Sequence, residues 1–382
     1  MENYFSSDFK LGVLGGGQLG RMLLAETQKF DVHTCILDSS KDAPCAPYCN
    51  EFFIGNLLDY NDVYRFGKKV DVLTIEIEHV NIKALYKLEE EGVKVYPQPS
   101  VIETIQHKGK QKDFYKAKNI PTSPHLRFNS LAELKEANLT EFPFVWKSAQ
   151  FGYDGMGVKI VRSTDDINNL PDTECITEEL IPFKNELAVI VARNADGKVK
   201  TYPVVEMEFH PEANQVEYVI CPARISDEVA AKARRVAMDV ANAFKHVGLL
   251  AVEMFQTEND DIIINEVAPR THNSGHYSIE ASHTSQFEQH LRTILNLPLG
   301  NTDSKLAGIM VNLVGAEGYT GDVVYENITE ILKIDGVTPH IYGKKTTKPF
   351  RKMGHVTIVN KDINIARKTA ELVKNTVKVI SK

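Results

Sequence analysis

The sequence predicts an α/β protein with three domains, and three observations support this prediction. Residues 1–100 alternate short apolar strands with amphipathic helices, which is typical of an open parallel sheet. The middle of the chain combines strands, glycine-rich loops and a β-hairpin with helices, and the remainder is mainly strand closed by one helix. We therefore expect a Rossmann-like domain at 1–100, a mixed domain at 101–300 and a small β-rich domain at 301–382.

The composition is that of an ordinary globular protein and argues against several functional classes. Of 382 residues, 43% are hydrophobic and 25% are charged, and the formal net charge is −7. This charge gives no electrostatic basis for binding nucleic acid or an anionic membrane. The polar N-terminus is unlike a secretory signal, and no apolar run is long enough to span a bilayer. The five cysteines are odd in number and scattered, so we expect free thiols in a cytoplasmic protein.

The first element is a strand that runs into Gly15-x-Gly17-x-x-Gly20, followed by a helix and by a second strand ending in Asp38. This is the local pattern of a mononucleotide-binding βαβ unit. A glycine turn at a helix N-terminus offers backbone N–H groups to any phosphate or carboxylate. A dinucleotide, another anionic ligand and a purely structural turn therefore stay open at this point.

The next strands, VDVLTIEIEHV and GVKVYPQP, extend the open sheet to about residue 97. Glu76 and Glu78 point to one side of the sheet near a strand end, where ligands bind in sheets of this kind. The two acids are candidate ligand contacts, and simple exposure to solvent is the alternative. The helical segment that follows is rich in lysine, and we expect most of these lysines to form a solvated face.

A glycine-rich loop lies between two strands in FPFVWKSAQFGYDGMGVKIV. Gly152, Gly155 and Gly157 would let the backbone close on a ligand, and Lys147 on the preceding strand would reach its phosphates, as in the phosphate cover of kinases. The motif is not a Walker A loop, because the order of residues differs and no helix follows. An ordinary hairpin is the alternative.

Residues 249–276 contain the apolar runs LLAVEMFQT and IIINEVAP, joined by the polar turn ENDD, which predicts a β-hairpin. Counting outward from the turn gives the pairs Thr257–Ile262, Phe255–Ile264 and Glu253–Glu266. The two glutamates would have Cβ atoms roughly 4.5–5.5 Å apart, and like charges so placed destabilise a sheet. A hard cation with oxygen ligands, Mg²⁺ above all, would turn this repulsion into binding. Two solvated acids on an edge hairpin are the alternative.

The C-terminal region contains the strands KLAGIMVNLVG, PHIYGKK and MGHVTIVN, closed by a helix predicted over DINIARKTAELVKNTVKVI. The loop between the last two strands carries five basic residues, Lys344, Lys345, Lys348, Arg351 and Lys352. A solvated basic loop is one interpretation. The functional interpretation, in a protein that is acidic overall, is that this loop binds a small anion.

Together, the paired carboxylates, the glycine cover with its lysine and the basic loop indicate phosphoryl transfer from a Mg-nucleotide. Asn265, next to Glu266, would face the other way in a regular strand. We expect it to reach the metal only through a bend such as the one that Pro269 favours.

The chain also resembles the ATP-grasp ligases over essentially its whole length, and most closely the 5-(carboxyamino)imidazole ribonucleotide synthase family. The matching stretches are GGGQLGRM at 15–22, FGYDGMGV at 151–158, EELIPF at 178–183, NEVAPRTHNSGH at 265–276 and RKMGH at 351–355. The resemblance implies an ATP-grasp fold between the Rossmann-like and β-rich domains. Within it, a small lid subdomain would occupy about 115–180 and a larger subdomain about 181–300.

The resemblance implies a reaction in which ATP phosphorylates bicarbonate to carboxyphosphate. The carboxyl group then passes to the amine of 5-aminoimidazole ribonucleotide, giving the carbamate, ADP and phosphate in purine biosynthesis. It also implies ATP and Mg²⁺ as cofactors, with Mn²⁺ as a substitute. It further implies small-molecule substrates and a homodimer. Neither a nucleic acid nor a membrane is expected as a partner.

Roles for individual residues follow from the same resemblance, with Glu253 and Glu266 holding the metal. The nucleotide would be bound by Lys108, Lys147, Gly152, Tyr153, Asp154, Gly155, Met156, Gly157, Val158, Glu178, Glu179, Leu180, Ile181, Glu186, Asn265 and Glu266. The ribonucleotide would be bound by Gln18, Leu19, Glu76, Tyr153, Asp154, Asn273, Ser274, Lys344 and Arg351. Asp154, Arg270, Lys344 and Arg351 would act in catalysis.

Three stretches depart from the usual pattern of the family. Met156 and Lys108 each stand where the family commonly has Arg, and Lys348 and Phe350 stand in place of Arg and Gly. Two other functions remain alternatives. A formate-dependent glycinamide ribonucleotide transformylase shares the layout and an acyl-phosphate intermediate, and a nucleotide-sensing protein would keep the fold without turnover.

Overall fold

The computed structural model describes residues 4–150, 157–210 and 215–382. The chain begins with a five-stranded parallel sheet in the strand order β3-β2-β1-β4-β5. Its elements are β1 (Lys10–Leu14), α1 (Gln18–Lys29), β2 (His33–Asp38), β3 (Glu51–Ile54), α2 (Tyr60–Gly67), β4 (Val72–Ile75), α3 (Ile82–Glu90), β5 (Lys94–Val95) and α4 (Pro99–Ile105). The strand order reverses between β1 and β4, and the crevice beyond their carboxyl ends is the usual ligand position in such sheets. The predicted Rossmann-like fold is confirmed.

A four-stranded antiparallel sheet follows, in the order β6-β9-β7-β8. Its elements and the helix leading into it are α5 (Lys108–Ala117), β6 (His125–Phe128), α6 (Leu131–Glu136), β7 (Phe144–Ser148), β8 (Val158–Val161), α7 (Thr164–Asn168) and β9 (Cys175–Glu179). The glycine-rich loop joins β7 to β8, and its residues 151–156 lie outside the described part of the chain. Lys147 therefore sits on the strand that enters this loop, as predicted.

The central sheet has nine strands and begins with β10 (Phe183–Arg193), which is long and mostly buried. The following elements are β11 (Val199–Thr201), β12 (Val205–Phe209), β13 (Val216–Cys221), α8 (Asp227–Phe244), β14 (Gly248–Thr257), β15 (Ile262–Ala268), a 3-10 helix (Asn273–Gly275), α9 (Ser278–Ala281), α10 (Gln286–Ile294) and β16 (Ala307–Val314). One face of α8, which includes Ala233 and Ala237, packs on apolar side chains of β10, β14 and β15. This packing fixes the hairpin against the core of the sheet.

The C-terminal strands join the central sheet rather than standing apart. The elements are β17 (Gly321–Glu326), α11 (Ile328–Ile331), β18 (Val337–Ile341), β19 (Thr346–Thr347), β20 (Lys352–Asn360), α12 (Ile363–Thr376) and β21 (Lys378–Ser381). Strand β16 pairs with β13, and β20 and β18 continue the sheet beyond it. The helix predicted to run to the end stops at Thr376, because Val377, Val379 and Ile380 favour the extended strand β21. Strand β21 pairs with β17, and these two strands form a small fourth sheet together with β19.

The hairpin β14–β15 has the predicted pair Glu253–Glu266 but a different register towards its tip. Asp260 is left-handed (φ 62°), and the N–H of Thr257 donates to the carbonyl of Asp261, so the turn is one residue tighter than expected. The inner pairs are therefore Gln256–Ile262, Phe255–Ile263 and Met254–Ile264. A β-bulge then leaves Asn265 as the extra residue and restores the glutamate pair.

Within the described part of the chain, no helix is long and apolar enough to cross a membrane.

Candidate active site

A cleft of about 610 Å³ lies between the parallel sheet, the helix α5 and the hairpin. It is lined by many of the residues expected at the site, namely Gln18, Leu19, Glu76, Lys108, Glu253, Glu266, Arg270 and Asn273. These side chains come from segments far apart in the chain, and the cleft opens at the crevice beyond β1 and β4. The predicted metal-binding pair and the predicted ribonucleotide-binding residues therefore face one cavity.

The paired carboxylates sit on one wall of this cleft. Glu253 is 15% exposed and Glu266 is 43% exposed, and burial together with Glu266 raises the pKa of Glu253. Lys108 Nζ lies 2.6 Å from Glu266 Oε2 and holds the pKa of Glu266 below its ordinary value. Glu186 is on the same face of the sheet, and burial followed by the charge of Glu266 raises its pKa to about 7. Three carboxylates so close together favour the binding of a cation.

The donor set on this wall fits a hard divalent cation. Two carboxylates and the amide of Asn265 offer oxygen atoms, which Mg²⁺ prefers. The β-bulge turns Asn265 toward Lys147, and its Oδ1 accepts a hydrogen bond from Lys147 Nζ at 3.0 Å. The bend expected at Pro269 is therefore not what orients Asn265.

A buried group of two lysines and one glutamate lies beside the hairpin. Lys147 Nζ lies 3.2 Å from Glu178, and Lys112 Nζ lies 3.2 Å from the same carboxylate. Burial would raise the pKa of Glu178, but the two lysines outweigh it and lower the pKa to about 2. The group carries an excess positive charge, which suits an anionic ligand nearby.

Lys112 was not predicted to have a role, because its helix was interpreted as a solvated lysine face. Its side chain is 2% exposed and donates to Thr122 and Ser123, and burial lowers its pKa to about 8. The signal in the sequence was the spacing of four from Lys108, which places both lysines on one side of α5.

Of the glycine-rich loop, the structure describes Gly157 and Val158. Gly152, Tyr153, Asp154, Gly155 and Met156 lie outside the described residues, so their predicted contacts with nucleotide and ribonucleotide remain predictions. Gly157 is left-handed (φ 80°), its carbonyl accepts from the N–H of Ser148, and Val158 then pairs with Lys147. A side chain at Gly157 would strain this closing turn.

The nucleotide-binding residues predicted at 178–181 lie at the end of β9 and directly after it. Glu179 ends the strand and is exposed, and Leu180 and Ile181 are half-buried in the connection to β10. The carboxylate of Glu178 instead points inward to the two lysines. The predicted contact of Glu178 with the nucleotide therefore remains a prediction.

The first glycine turn is built around Glu76. Its Oε1 accepts from the N–H of Leu19 at 3.1 Å, and a Cβ added to Gly17 would lie 2.5 Å from that oxygen. Asp38 accepts from the N–H groups of Gly16 and Ser40, so both of its oxygens are used inside the protein. The dinucleotide alternative thus loses the acid that would bind a ribose.

Residues after the hairpin connect the two sides of the cleft. Arg270 Nε lies 2.8 Å from Glu78 Oε1 beside the first glycine turn, and Asn273 exchanges hydrogen bonds with Asn312. Ser274 is buried under the cleft wall, where its hydroxyl contacts His272 Nδ1 at 2.9 Å. Its predicted contact with the ribonucleotide therefore remains a prediction.

The structure does not bring Lys344 and Arg351 onto the cleft wall. Lys344 Nζ donates to the carbonyl of Lys352 at 2.6 Å, and Arg351 donates to the carbonyl of Thr346 at 2.8 Å. Lys352 itself lines the cleft together with His272 and His276. Of these three, His276 had no predicted role. Lys352 was predicted only as part of the basic loop, and His272 only as part of the segment 270–274 that the resemblance places at the acceptor pocket.

Models of three protein families match the chain in order. A ribonucleotide synthetase preATP-grasp domain matches residues 9–106, an ATP-grasp domain 113–287 and a phosphoribosylaminoimidazole carboxylase C-terminal domain 308–369. The N5-carboxyaminoimidazole ribonucleotide synthase of Synechococcus elongatus is 36% identical, over 91% of this chain and 89% of its own.

Longer relatives and solved structures agree with these matches. The phosphoribosylaminoimidazole carboxylase of Candida glabrata is 37% identical over 91% of this chain, which spans only 63% of that relative. The N5-carboxyaminoimidazole ribonucleotide synthetase of Thermotoga maritima has a TM-score of 0.90 and 40% identity, covering 98% of this chain and 100% of its own. The synthase of Aspergillus clavatus, solved with ADP and 5-aminoimidazole ribonucleotide, has a TM-score of 0.87 and 34% identity, with 97% and 98% covered.

Proposed function

The chain belongs to the N5-carboxyaminoimidazole ribonucleotide synthase family of ATP-grasp enzymes, and we propose that it catalyses the reaction named by that family. In this reaction ATP and bicarbonate carboxylate the amine of 5-aminoimidazole ribonucleotide through carboxyphosphate, giving ADP and phosphate, in purine biosynthesis. One observation carries the proposal. The carboxylate pair of the hairpin and the Glu76-filled glycine turn face the same cleft.

The nucleotide side of the cleft is the wall formed by the hairpin and the lysines. Lys108 and Lys147 would contact the phosphates, the backbone at 179–181 would contact adenine, and Glu186 would accept hydrogen bonds from the ribose hydroxyls. Glu253 and Glu266 would hold Mg²⁺, which when bound neutralises charge on the transferring phosphoryl group. The excess positive charge of Lys112, Lys147 and Glu178 supports this placement.

The acceptor side is the crevice beyond β1 and β4. Gln18, Leu19 and Glu76 would bind the ribonucleotide, and Arg270 and Asn273 lie between this turn and the metal hairpin. Phosphoryl donor and amine would thus meet within one cavity. Holding the two reactants in this way contributes much of the rate in such transfers.

Lys344 and Arg351 would act on the ribonucleotide phosphate and on carboxyphosphate, as the family resemblance implies. In the present geometry Lys344 supports the backbone of Lys352, which reaches the cleft. We also propose a homodimer in the cytoplasm. Sedimentation of the purified protein at micromolar concentration would test the dimer.

The function is tested by ADP release with defined substrate pairs. Bicarbonate with 5-aminoimidazole ribonucleotide should give rapid release, and formate with glycinamide ribonucleotide should give none above background. The reverse pattern would favour the transformylase. Tight binding of Mg-ATP without release for either pair would favour a nucleotide-sensing protein.

A further inference from the structure

His276 forms part of the cleft wall and has no role in the chemistry described so far. Its side chain is 1% exposed, and it lies immediately after the 3-10 helix that ends the hairpin segment. The ring packs between Phe287 and His355, with centroid distances of 5.8 and 4.8 Å. The imidazole ring is therefore held in a fixed position at the cleft.

The buried side chain of Gln286 fixes the hydrogen bonding of this ring. Gln286 Oε1 accepts from the backbone N–H of His272 at 2.9 Å, and Nε2 donates to the backbone carbonyl of His272 at 2.8 Å. A backbone N–H only donates and a carbonyl only accepts, so these two bonds decide which end of the amide is nitrogen. The same Nε2 lies 2.8 Å from His276 Nδ1.

It follows that His276 Nδ1 is an acceptor and carries no proton. The ring proton of a neutral histidine must then be on Nε2. Burial, together with the nearby charges of His272, His340, Lys352 and Arg270, holds the pKa of His276 well below its ordinary value. The neutral Nε2–H tautomer is thus the state that both geometry and charge favour.

Neighbouring residues hold Gln286 in place. A Cβ added to Gly275 would lie 2.5 Å from Gln286 Oε1, so a glycine is needed directly before His276. The N–H of Gln286 donates to Ser278 Oγ at 2.9 Å. The amide that sets the tautomer is therefore anchored at its backbone as well as at its side chain.

We propose that His276 is a catalytic hydrogen-bond donor, which Gln286 holds as the Nε2–H tautomer and which donates to an oxygen of the bicarbonate-derived carboxyl group. This inference rests on the proposed function. The segment 270–276 joins the metal hairpin to the first glycine turn, so His276 belongs to the region between phosphoryl donor and amine. Arg270 and Lys352 provide charge there, and His276 adds a neutral donor.

A neutral donor suits the chemistry of this carboxyl group. A carbamate loses carbon dioxide once its nitrogen is protonated, and an imidazolium beside it would supply that proton. With Nδ1 occupied by an amide donor, His276 does not readily take up a second proton. It is able to stabilise negative charge on the carboxyl oxygens throughout the transfer while moving no proton itself.

The test combines NMR spectroscopy with two variants of the full-length protein. In ¹⁵N-histidine-labelled wild type, the signals lost in His276→Phe identify the residue. We expect an unprotonated Nδ1 and a protonated Nε2 between pH 6 and 8. A protonated Nδ1, or a ring that takes up a second proton in this range, would overturn the assignment.

Kinetic measurements distinguish hydrogen-bond donation by His276 from the packing of its ring. His276→Phe keeps the stacked ring without a donor and should lower ribonucleotide-dependent ADP release by roughly 10²-fold or more. His276→Gln places an amide N–H near the Nε2 position and should retain at least about tenfold more activity, with the KM for ATP unchanged in both. A His276→Phe enzyme within threefold of wild type, or a Gln variant as slow as the Phe variant, would contradict the proposal. Wild type that releases no ADP with the ribonucleotide would instead refute the proposed function itself.

Discussion

Lys108 and Glu266 form an ion pair in the cleft, with Nζ 2.6 Å from Oε2, although they are separated by most of the ATP-grasp region. Lys108 begins α5 and Glu266 lies on β15 of the hairpin. The lysine therefore neutralises one carboxylate of the proposed metal site. A metal that binds there has to compete with Lys108 unless a phosphate draws the lysine away.

Metal binding should accordingly depend on nucleotide. We expect Mn²⁺ to bind weakly to the protein alone and at least about tenfold more tightly with ADP present, as followed by electron paramagnetic resonance. Lys108→Met should tighten binding of the metal alone and raise the KM for ATP. Lys116→Met, an exposed lysine on the same helix, is the matched control. Tight Mn²⁺ binding to wild type without nucleotide would contradict this competition.

Glu266→Gln should nearly abolish turnover, with a loss of roughly 10²–10³-fold, because one of the two charged oxygen ligands is removed. The fold should survive, since repulsion with Glu253 is relieved while the ion pair with Lys108 is lost. Steady-state ADP release and thermal unfolding measure the two effects. Glu258→Gln at the exposed hairpin turn should leave both unchanged. A normal rate in Glu266→Gln would remove the metal assignment.

Lys112→Met should weaken nucleotide binding through Glu178. Without Lys112, the pKa of Glu178 rises and the carboxylate holds Lys147 less firmly. We expect the KM for ATP to increase roughly tenfold with a smaller change in kcat, since one buried partner of an ionic group is lost. Lys116→Met again provides the exposed control. An unchanged KM would show that Lys147 is positioned without Lys112.

Lys344→Ala should impair carboxylation more than nucleotide binding, because Lys344 supports the carbonyl of Lys352 at the cleft. The KM for the ribonucleotide should rise about tenfold, the effect of losing one charged hydrogen bond. Lys345→Ala, whose side chain pairs with Asp42 instead, should have a smaller effect. If the affinity for ATP fell equally in Lys344→Ala, the placement on the acceptor side would be wrong.

The free energy of unfolding should fall on acidification below about pH 6.5 because of buried histidines, among them His246 and His290. Burial lowers the pKa of His246 to about 3 and that of His290 to about 4. Above pH 6.5 both histidines are neutral in the folded and in the unfolded chain. Their full contribution to the free energy of unfolding is therefore present. Below it the unfolded chain binds protons that the folded chain does not, and each histidine costs up to about 1.4 kcal/mol per pH unit until its folded pKa is reached.

Urea unfolding between pH 4.5 and 7.5 measures this slope. His290→Gln should flatten it, whereas His283→Gln at an exposed position should not. An equal slope in the His290 variant would assign the acid sensitivity to other groups.

The facing of Glu253 and Glu266 was predictable because it required only strand alternation and a recognisable turn. The inner register was not, since it depends on the left-handed Asp260 and on the bulge at Asn265, which apolar periodicity does not encode. The burial of Lys112 was hidden because a lysine-rich helix looks solvated until its partner Glu178 is known. Gln286 and His276 come together through a turn and a helix start, which no local pattern reveals.

The bulge at Asn265 has a consequence for how this hairpin tolerates change in length. A turn longer by one residue with regular strands would still place Glu253 opposite Glu266, because the two alterations cancel. Asn265 would then point into the apolar core, away from Lys147. The glutamate pair is thus compatible with two registers, and only the bulged one brings Asn265 to Lys147. A change that favoured the regular register would therefore move Asn265 away from Lys147 and leave the glutamate pair in place.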